Sequence, residues 1–458
     1  MRKIASEVSR KSHSRAEKVL AEAPVRVFVI SLGCPKNLID TEYALAALEA
    51  DMGEIRFCDR QEEADLILVN TCSFIEEAVS ESVDAILEVA QRKGAGQFLA
   101  VMGCLPLRYK EELVDLLPEV DQFSFYLSPH ETARLIATAL KKKVPAIGTT
   151  SPEAYSPRIS TGRPWQQYVK ISEGCSNRCT YCLIPKIRGP IKCRPPEEIV
   201  DEINVLYEAG AKEITLVAQD LTAYQSGQRD LASFLELLLE RTSIPWFRLM
   251  YLYPHGINER LLRIIKDSNR ICPYLDMPIQ HASSNILRAM GRKYDQLHLE
   301  KTLELIREYL PEISLRTTVM VGFPGETEED FIELRNFIER WRFHHLGCFA
   351  YSDEEDAPSF GLKEKVPAQI GKERRDEIMA LQAHISAEIN ASFVGQTIDV
   401  LIDGLCEETD LLLCGRSRFQ APEVDGQVYI NRGSATPGSI VGVKITRSHN
   451  YDLVGEVA

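Results

Sequence analysis

The stretch Cys175-Ser-Asn-Arg-Cys179-Thr-Tyr-Cys182 closes an extended run, Gln166-Gln-Tyr-Val-Lys-Ile-Ser172. Its three thiols have a CxxxCxxC spacing. Three thiolates can hold three irons of a 4Fe–4S cube and leave the fourth iron open to a ligand from outside the chain, whereas an electron-transfer cluster is ordinarily closed by four cysteines. An open iron implies that something binds there and reacts. The competing reading is a structural zinc site completed by Cys193. Zinc sites favour paired CxxC knuckles, and no second pair stands near Cys193, so the spacing favours a cluster.

Around this loop the sequence predicts a domain over 165–392. Strand candidates fall at 168–172, 213–218, 247–252, 274–279, 314–321 and 346–351. Helical patterns intervene at 196–208, 230–241, 257–267, 295–309, 326–340 and 370–392. Six βα units at this spacing predict a partial (β/α)6 barrel with its chemistry at the carboxyl-terminal mouth. The three-Cys loop follows the first strand and so belongs to that mouth. Other strand ends there are polar: Gln219-Asp220, Tyr253-Pro254-His255, Gln280-His281, and Arg316 with Thr317 and Thr318. The turn Gly322-Phe-Pro-Gly-Glu326 allows close backbone approach. Taken singly, each polar residue reads equally well as a cap or turn group; together they describe a polar pocket.

Residues 25–145 predict an open parallel α/β domain. Apolar, β-branched runs at 25–32, 66–70 and 97–102 alternate with amphipathic stretches at 41–50, 75–91 and 109–117. Each run leads into a cysteine in a short polar turn: Gly33-Cys34-Pro35-Lys36-Asn37, Asn70-Thr71-Cys72-Ser73 and Gly103-Cys104-Leu105. In a parallel sheet all three turns share one edge, where open α/β sheets place ligands. Three separate core cysteines are the plainer reading, since cysteine is among the most buried residues. Convergence at equivalent strand ends favours a second three-thiolate cluster. Pro, Ser, Thr and Gly mark 146–164 as a linker. The first 24 residues are basic, lack an apolar segment of the signal-peptide kind and read as a disordered extension.

The last stretch, 394–458, has short β-like runs joined by Gly- and Asp-rich turns, predicting a small all-β, OB-like barrel. It carries nine acidic against five basic side chains and few aromatics for stacking on bases. The whole chain of 458 residues has a net charge of −14, which disfavours an RNA backbone as partner and favours a basic protein. Hydrophobic content of 45% and charged content of 26% are ordinary for a globular protein. No apolar run is long enough to cross a bilayer. Twelve cysteines in such a chain point to metal ligation and buried use in a reducing cytoplasm rather than to disulfides.

The three-Cys loop, with Tyr181 before its last cysteine, resembles that of radical S-adenosylmethionine (SAM) enzymes. With Cys34, Cys72, Cys104 and the C-terminal barrel added, the chain from about 25 to 458 resembles the radical SAM methylthiotransferase family. Members of that family join an N-terminal cluster domain, a radical SAM partial barrel and a C-terminal TRAM domain. Leu32-Gly-Cys-Pro-Lys-Asn37, Asn70-Thr-Cys-Ser-Phe-Ile75, Val217-Ala-Gln-Asp-Leu-Thr222, Asp276-Met-Pro-Ile-Gln-His281 and Ala421-Pro-Glu-Val-Asp-Gly426 resemble its RimO type, which modifies an aspartate of ribosomal protein S12. The tRNA-modifying relatives typically have Gln-Met where Pro35-Lys36 stands.

The resemblance implies a transferase with two 4Fe–4S clusters. One, on Cys175, Cys179 and Cys182, would bind SAM at its open iron and generate a radical that removes hydrogen from the aspartate β-carbon. The other, on Cys34, Cys72 and Cys104, would deliver sulfur and methyl after methylation by a second SAM. By position, Tyr181, Gln219, Asp220, Gln280 and Arg316 are the expected SAM contacts. A low-potential electron donor is also required. The rival readings are methylthiolation of a tRNA adenosine, which the acidic barrel and Pro35-Lys36 disfavour, and a non-enzymatic Fe–S or zinc protein. The chain departs from the family at Asp353-Glu-Glu-Asp-Ala-Pro358, where Gly-Thr-Pro commonly follows the acidic pair. Cys58, Cys193, Cys272, Cys348, Cys406 and Cys414 match no family ligand and read as structural.

Overall fold

Unbroken apolar runs form the centre of the first sheet. The computed structural model describes residues 24–143, 158–407 and 409–458, so the extension expected over 1–24 and the linker expected over 146–164 lie almost entirely or mostly outside it. Val25–Ser31 (β1), Ile55–Phe57 (β2), Leu66–Thr71 (β3), Phe98–Gly103 (β4) and Gln122–Phe123 (β5) pair in parallel in the order β2-β1-β3-β4-β5. Every residue of β3 is buried, as a parallel strand covered on both faces must be. Helices Pro35–Met52 and Pro129–Lys143 pack on one face, and Glu76–Gln91 on the other. The strand order reverses between β1 and β3, and the crevice at such a switch point is where open α/β sheets take ligands.

The second sheet contains Gln166–Lys170 (β6), Glu213–Val217 (β7), Trp246–Leu249 (β8), Ile271–Asp276 (β9), Ser314–Val321 (β10) and His345–Ala350 (β11). All six strands are parallel and in sequential order, and β6 does not pair with β11, so the barrel stays partial. Four of the helices that follow the strands start at side-chain caps: Asp230, Asn258, Asp295 and Thr327 each accept a backbone N–H, the last within a capping box. Their apolar faces share one core with the strands. Thr397–Cys406 (β12), Thr409–Ser417 (β13), Val428–Arg432 (β14), Ile440–Ser448 (β15) and Leu453–Val457 (β16) then close a small barrel in the order β12-β13-β14-β16-β15.

The three expected architectures are therefore present, with local differences. Pro35-Lys36-Asn37 is the first turn of a helix rather than a polar turn, because Pro35 at its first position presets φ and needs no N–H partner. Cys104 likewise opens the helix Cys104–Tyr109. The short strands β2, β5 and β16 and the helix Pro129–Lys143 were not expected from the sequence.

The C-terminal barrel is fastened to the strand-start end of the larger one. Glu213, at the start of β7, accepts from Arg248 Nε at 2.6 Å and from Arg416 Nη1 at 2.7 Å. Arg416 also reaches Asp403 at 3.0 Å. Arg418 donates to the carbonyls of Asn269 and Ile271 at 2.6 and 2.8 Å. The Glu213 and Arg248 side chains have 0% exposure. Burial works against the Glu213 carboxylate, but Arg416 and Arg248 outweigh it and hold the carboxyl below its ordinary value of 4.5. Its stabilising contribution is thus present above pH 4.5 and lost as pH falls through the lower folded value. Glu213→Ala strands two buried guanidinium groups and is expected to cost about 3–5 kcal/mol, read as a lower urea midpoint. Glu213→Gln is expected to flatten the acid limb of the stability–pH curve.

Candidate active site

Two glycines let the first cysteine trio converge. Gly33 has φ +88°, and a Cβ there would sit 2.8 Å from Cys72 Cβ and 3.2 Å from its Sγ. At Gly103, φ +97°, a Cβ would meet Asn70 Oδ1 at 2.1 Å. Asn37 lies between two of the thiols: its Oδ1 is 3.9 Å from Cys34 Sγ and 3.8 Å from Cys104 Sγ. Its Nδ2 is fixed by donation to Leu32 O at 3.1 Å and Thr71 O at 2.9 Å. Burial pushes the Cys72 thiol up to about 11 and also raises Cys104. It opposes ionisation of Cys34 too, but Lys36, Arg188 and the backbone N–H groups of Asn37 and Lys36 prevail and lower that thiol.

The second trio stands in the loop after β6. Cys175 N–H donates to Gly189 O at 3.0 Å and Thr180 N–H to Met290 O at 3.0 Å, pinning the loop at both ends. Burial pushes the Cys182 thiol up to about 12 and raises Cys175. Beside the loop, Asp220 accepts from Asn177 Nδ2 at 2.7 Å and from the Thr222 hydroxyl at 2.6 Å. Gln219 donates weakly to Glu173 at 3.4 Å, and its Oε1 is buried without a donor. Gln280 adopts a left-handed φ of +68°, and its N–H and C=O both pair with β10. Tyr181 is half-buried, with Arg292 donating to its hydroxyl at 3.1 Å.

Arg316 is placed differently from expectation. Its guanidinium is bracketed inside the barrel by Asp276 at 3.2 Å and by Asp425, from the C-terminal barrel, at 3.3 Å. The charge is already neutralised, so Arg316 is poorly suited to hold a cofactor carboxylate and better suited to fixing the barrel interior.

Arg292, which the sequence reading missed, matters more. It donates to Cys179 Sγ at 3.4 Å, to Pro278 O at 3.0 Å and to the Tyr294 hydroxyl at 2.7 Å, and stacks on Tyr253 at 4.2 Å. Among the described residues it has no carboxylate partner. Lys36 is in the same situation beside Cys34: fully buried, 3.5 Å from Ala218 O and 4.1 Å over the Tyr251 ring. A buried cation without a counter-charge costs several kcal/mol. Lys36, buried beside one trio, and Arg292, half-buried beside the other, make the arrangement that an anionic, thiolate-bound cluster would neutralise. Among the described residues, no three His, Cys, Asp or Glu side chains are placed to hold a single metal ion. A cube instead spreads its thiolates over three irons.

The two trios are brought together by ion pairs. Lys170, on β6, bridges Asp40 of the first domain and Glu173. Arg188 pairs with the same two carboxylates, each at 3.0 Å, and also donates to Cys104 Sγ at 3.5 Å.

Comparison with known proteins agrees with this geometry. Residues 169–338 match the radical SAM superfamily, 394–458 the TRAM domain and 26–124 a group described as Uncharacterized protein family UPF0004. Ribosomal protein uS12 methylthiotransferase RimO of Pelobacter propionicus is 44% identical over 441 residues, 94% of this chain and 98% of that one. The protein of the same name from Geobacter sulfurreducens is 43% identical over 448 residues, 96% of this chain and all of that one. This chain belongs to the RimO family of methylthiotransferases.

As a RimO-family member it is an enzyme of the radical SAM transferase class, working with SAM and 4Fe–4S clusters. Likeness in fold extends further. The radical SAM methyltransferase TsrM of Kitasatospora setae aligns with a TM-score of 0.54 at 15% identity, over 71% of this chain and 73% of that one. The cobalamin-dependent SAM radical enzyme OxsB aligns at 0.51 and 14%, over 78% of this chain and 56% of that one. Arg292 and Arg188 escaped the sequence reading because each lies in a stretch that could equally be solvated, and only the fold brings it to sulfur. Loss of the Arg292 N–H to Cys179 removes positive charge from the site. Arg292→Met is expected to lower the midpoint potential of the cluster in the reconstituted enzyme by about 59 mV or more, tenfold for one electron, in an EPR-monitored redox titration.

Proposed function

We propose that this RimO-family chain transfers a methylthio group to the β-carbon of an aspartate in ribosomal protein S12. The observation that carries the reading is the pair of cysteine trios, on separate domains, each beside a cation that has no carboxylate partner among the described residues, and joined through Arg188. Cys175, Cys179 and Cys182 are assigned to one 4Fe–4S cluster, and Cys34, Cys72 and Cys104 to the other. When bound, SAM and the clusters supply reductive cleavage of the S–C5′ bond and carriage of the methylthio group.

The chain's own residues position and enclose. An unactivated C–H bond offers no acidic proton, so the site needs no general base; its work is orientation and exclusion of water. Asn37 orients Cys34 and Cys104. Arg292 orients Tyr181 and screens Cys179. Asp220, held by Asn177 and Thr222, and Gln219, with its buried free Oε1, are the acceptors assigned to SAM, with Gln280 presenting its side chain from a strained backbone. Tyr181 lines the same side. Arg316 acts with Asp276 and Asp425 beneath them.

The substrate surface is assigned to the acidic C-terminal barrel. Where that barrel meets the helix Pro35–Met52 and β6, a cavity of about 530 Å³ is lined by Glu42, Asp403, Glu407, Glu423 and Asp425 against Arg163 and Arg416. Glu407 and Glu423 are exposed on its rim. This sign suits a basic ribosomal protein and repels an RNA backbone. A low-potential electron donor completes the system. The described residues form no disulfide, which suits the cytoplasm; among them no helix is long and apolar enough to cross a membrane.

Incubation with S12, SAM, sulfide and reductant is expected to add about 46 Da to S12, the replacement of hydrogen by –SCH3. A methylthiolated nucleoside in tRNA, with S12 unchanged, would sink the proposal. Joint replacement of Cys34, Cys72 and Cys104 by Ala is expected to remove about half the iron while 5′-deoxyadenosine formation persists. Glu407→Lys with Glu423→Lys is expected to raise KM for S12 with SAM cleavage unaltered; an unchanged KM would place the docking surface elsewhere.

A further inference from the structure

The loop after β11, where the chain departs from its family, touches both cysteine trios. Ser359 N–H donates to Thr180 O at 2.8 Å, inside the loop that carries Cys179 and Cys182. Ala357 is buried in an apolar cluster with Cys104, Leu183 and Ile187. Glu354 reaches into the first domain. Its Oε1 accepts the Glu76 N–H at 2.8 Å, at the start of the helix that follows Cys72, and its Oε2 accepts Arg108 Nη2 at 2.8 Å. Arg108 closes the helix that begins at Cys104, and its Nη1 donates to Ser73 O at 2.8 Å, next to Cys72. The Arg108 and Glu354 side chains are 5% and 7% exposed. Asp356, at the position where the family commonly has Gly, pairs with Arg108 at 3.3 Å and with Lys186 of the helix after Cys182.

One carboxylate thus gathers the segments following Cys72 and Cys104, while its neighbours hold the loop of the other trio. We propose that Glu354 is a positioning residue: with Arg108, Asp356 and Ser359 it forms a clasp that sets the separation and orientation of the two cysteine trios, and so the hand-over between them. The buried Arg108 pair, the Thr180 bond and the Ala357 packing are independent observations that converge on the same bridge. Its consequence is specific. Cleavage of SAM needs only the trio at Cys175, Cys179 and Cys182, whereas delivery of sulfur and methyl needs both trios in register, and an error of about 1 Å in such register can cost roughly 100-fold.

The proposal rests on the two-cluster reading, and the test separates the two. Glu354→Gln removes the charge while keeping size and an acceptor for the Glu76 N–H; Asp356→Gly, on the half-exposed side, trims the clasp without touching the core. In the reconstituted full-length enzyme, Glu354→Gln is expected to retain iron content and 5′-deoxyadenosine formation. Methylthiolated S12 per 5′-deoxyadenosine is expected to fall about tenfold or more, through kcat with KM for S12 unchanged. The spin–spin interaction between the two reduced clusters is expected to change, and amides 76–80 to exchange faster. Asp356→Gly should shift the same readouts in the same direction, but less. Unchanged product ratio and spin–spin interaction in both variants would overturn the clasp. A wild-type enzyme with iron for one cluster only would overturn the two-cluster reading itself, while the exchange of amides 76–80 still reports on the Glu354 contact.

Discussion

The site depends on a buried charge network at the seam between the first domain and the partial barrel. Asp40 comes from the helix Pro35–Met52, and Lys170, Glu173 and Arg188 come from β6 and the loop beyond it. Burial works against the charges of Lys170, Glu173 and Arg188. The Glu173 carboxyl is nevertheless held well below its ordinary range, because Lys170 and Arg188 outweigh that burial. Such a network adds little net stability, since desolvation offsets most of the Coulombic gain, yet losing one member leaves the others uncompensated at about 3–5 kcal/mol. It therefore tolerates one arrangement of the two domains and penalises the rest. Because Arg188 also reaches Asn37 and Cys104, the docking of the domains and the placement of a trio thiol form a single constraint.

The same logic recurs at the other junctions. Arg158 is held by Glu42 of the first domain and Glu202 of the barrel, and Tyr43 donates to Glu202 at 2.7 Å. Glu213 and Arg416 join the two barrels, and Glu354 and Arg108 join the far edge of the mouth. Each is a pairing between distant parts of the chain, buried and charge-assisted. Apolar packing within each unit supplies the bulk of the stability; these pairs decide how the units face one another.

This division explains what could be read from the sequence. Continuous apolar runs such as Leu66-Ile-Leu-Val announce buried parallel strands, and a cysteine at the end of each run announces a shared sheet edge. Both signals are local, and both were legible. The helix start at Pro35 was misread as a turn, since Pro-Lys-Asn has the composition of either. For Arg316 the strand position was visible but its partner Asp425, 109 residues away, was not. Arg292 and Glu354 were missed for the same reason. Their meaning lies in what they touch, at Cys179 and at Glu76 and Arg108, and no period or spacing encodes that. The family departure at Asp356 was visible as an anomaly, but only its two partners give it a physical sense.

The charge distribution follows from these placements. The chain carries a net charge of −14, yet its interior places Lys36 and Arg188 against one cysteine trio and Arg292 against the other. An anionic cluster in low dielectric needs nearby positive charge, and N–H groups aimed at its sulfurs stabilise the reduced, more negative state. The C-terminal barrel shares in the acidic excess, with nine acidic against five basic side chains. The excess is not uniform: Glu407 and Glu423 remain exposed on the rim of the cavity, whereas Asp403 and Asp425 below them are neutralised by Arg416 and Arg316. The exposed carboxylates of Glu407 and Glu423 thus stand beside carboxylates that are already paired. Exposed charges of that kind are screened by salt, whereas the buried ion pairs that fix the two trios are screened far less.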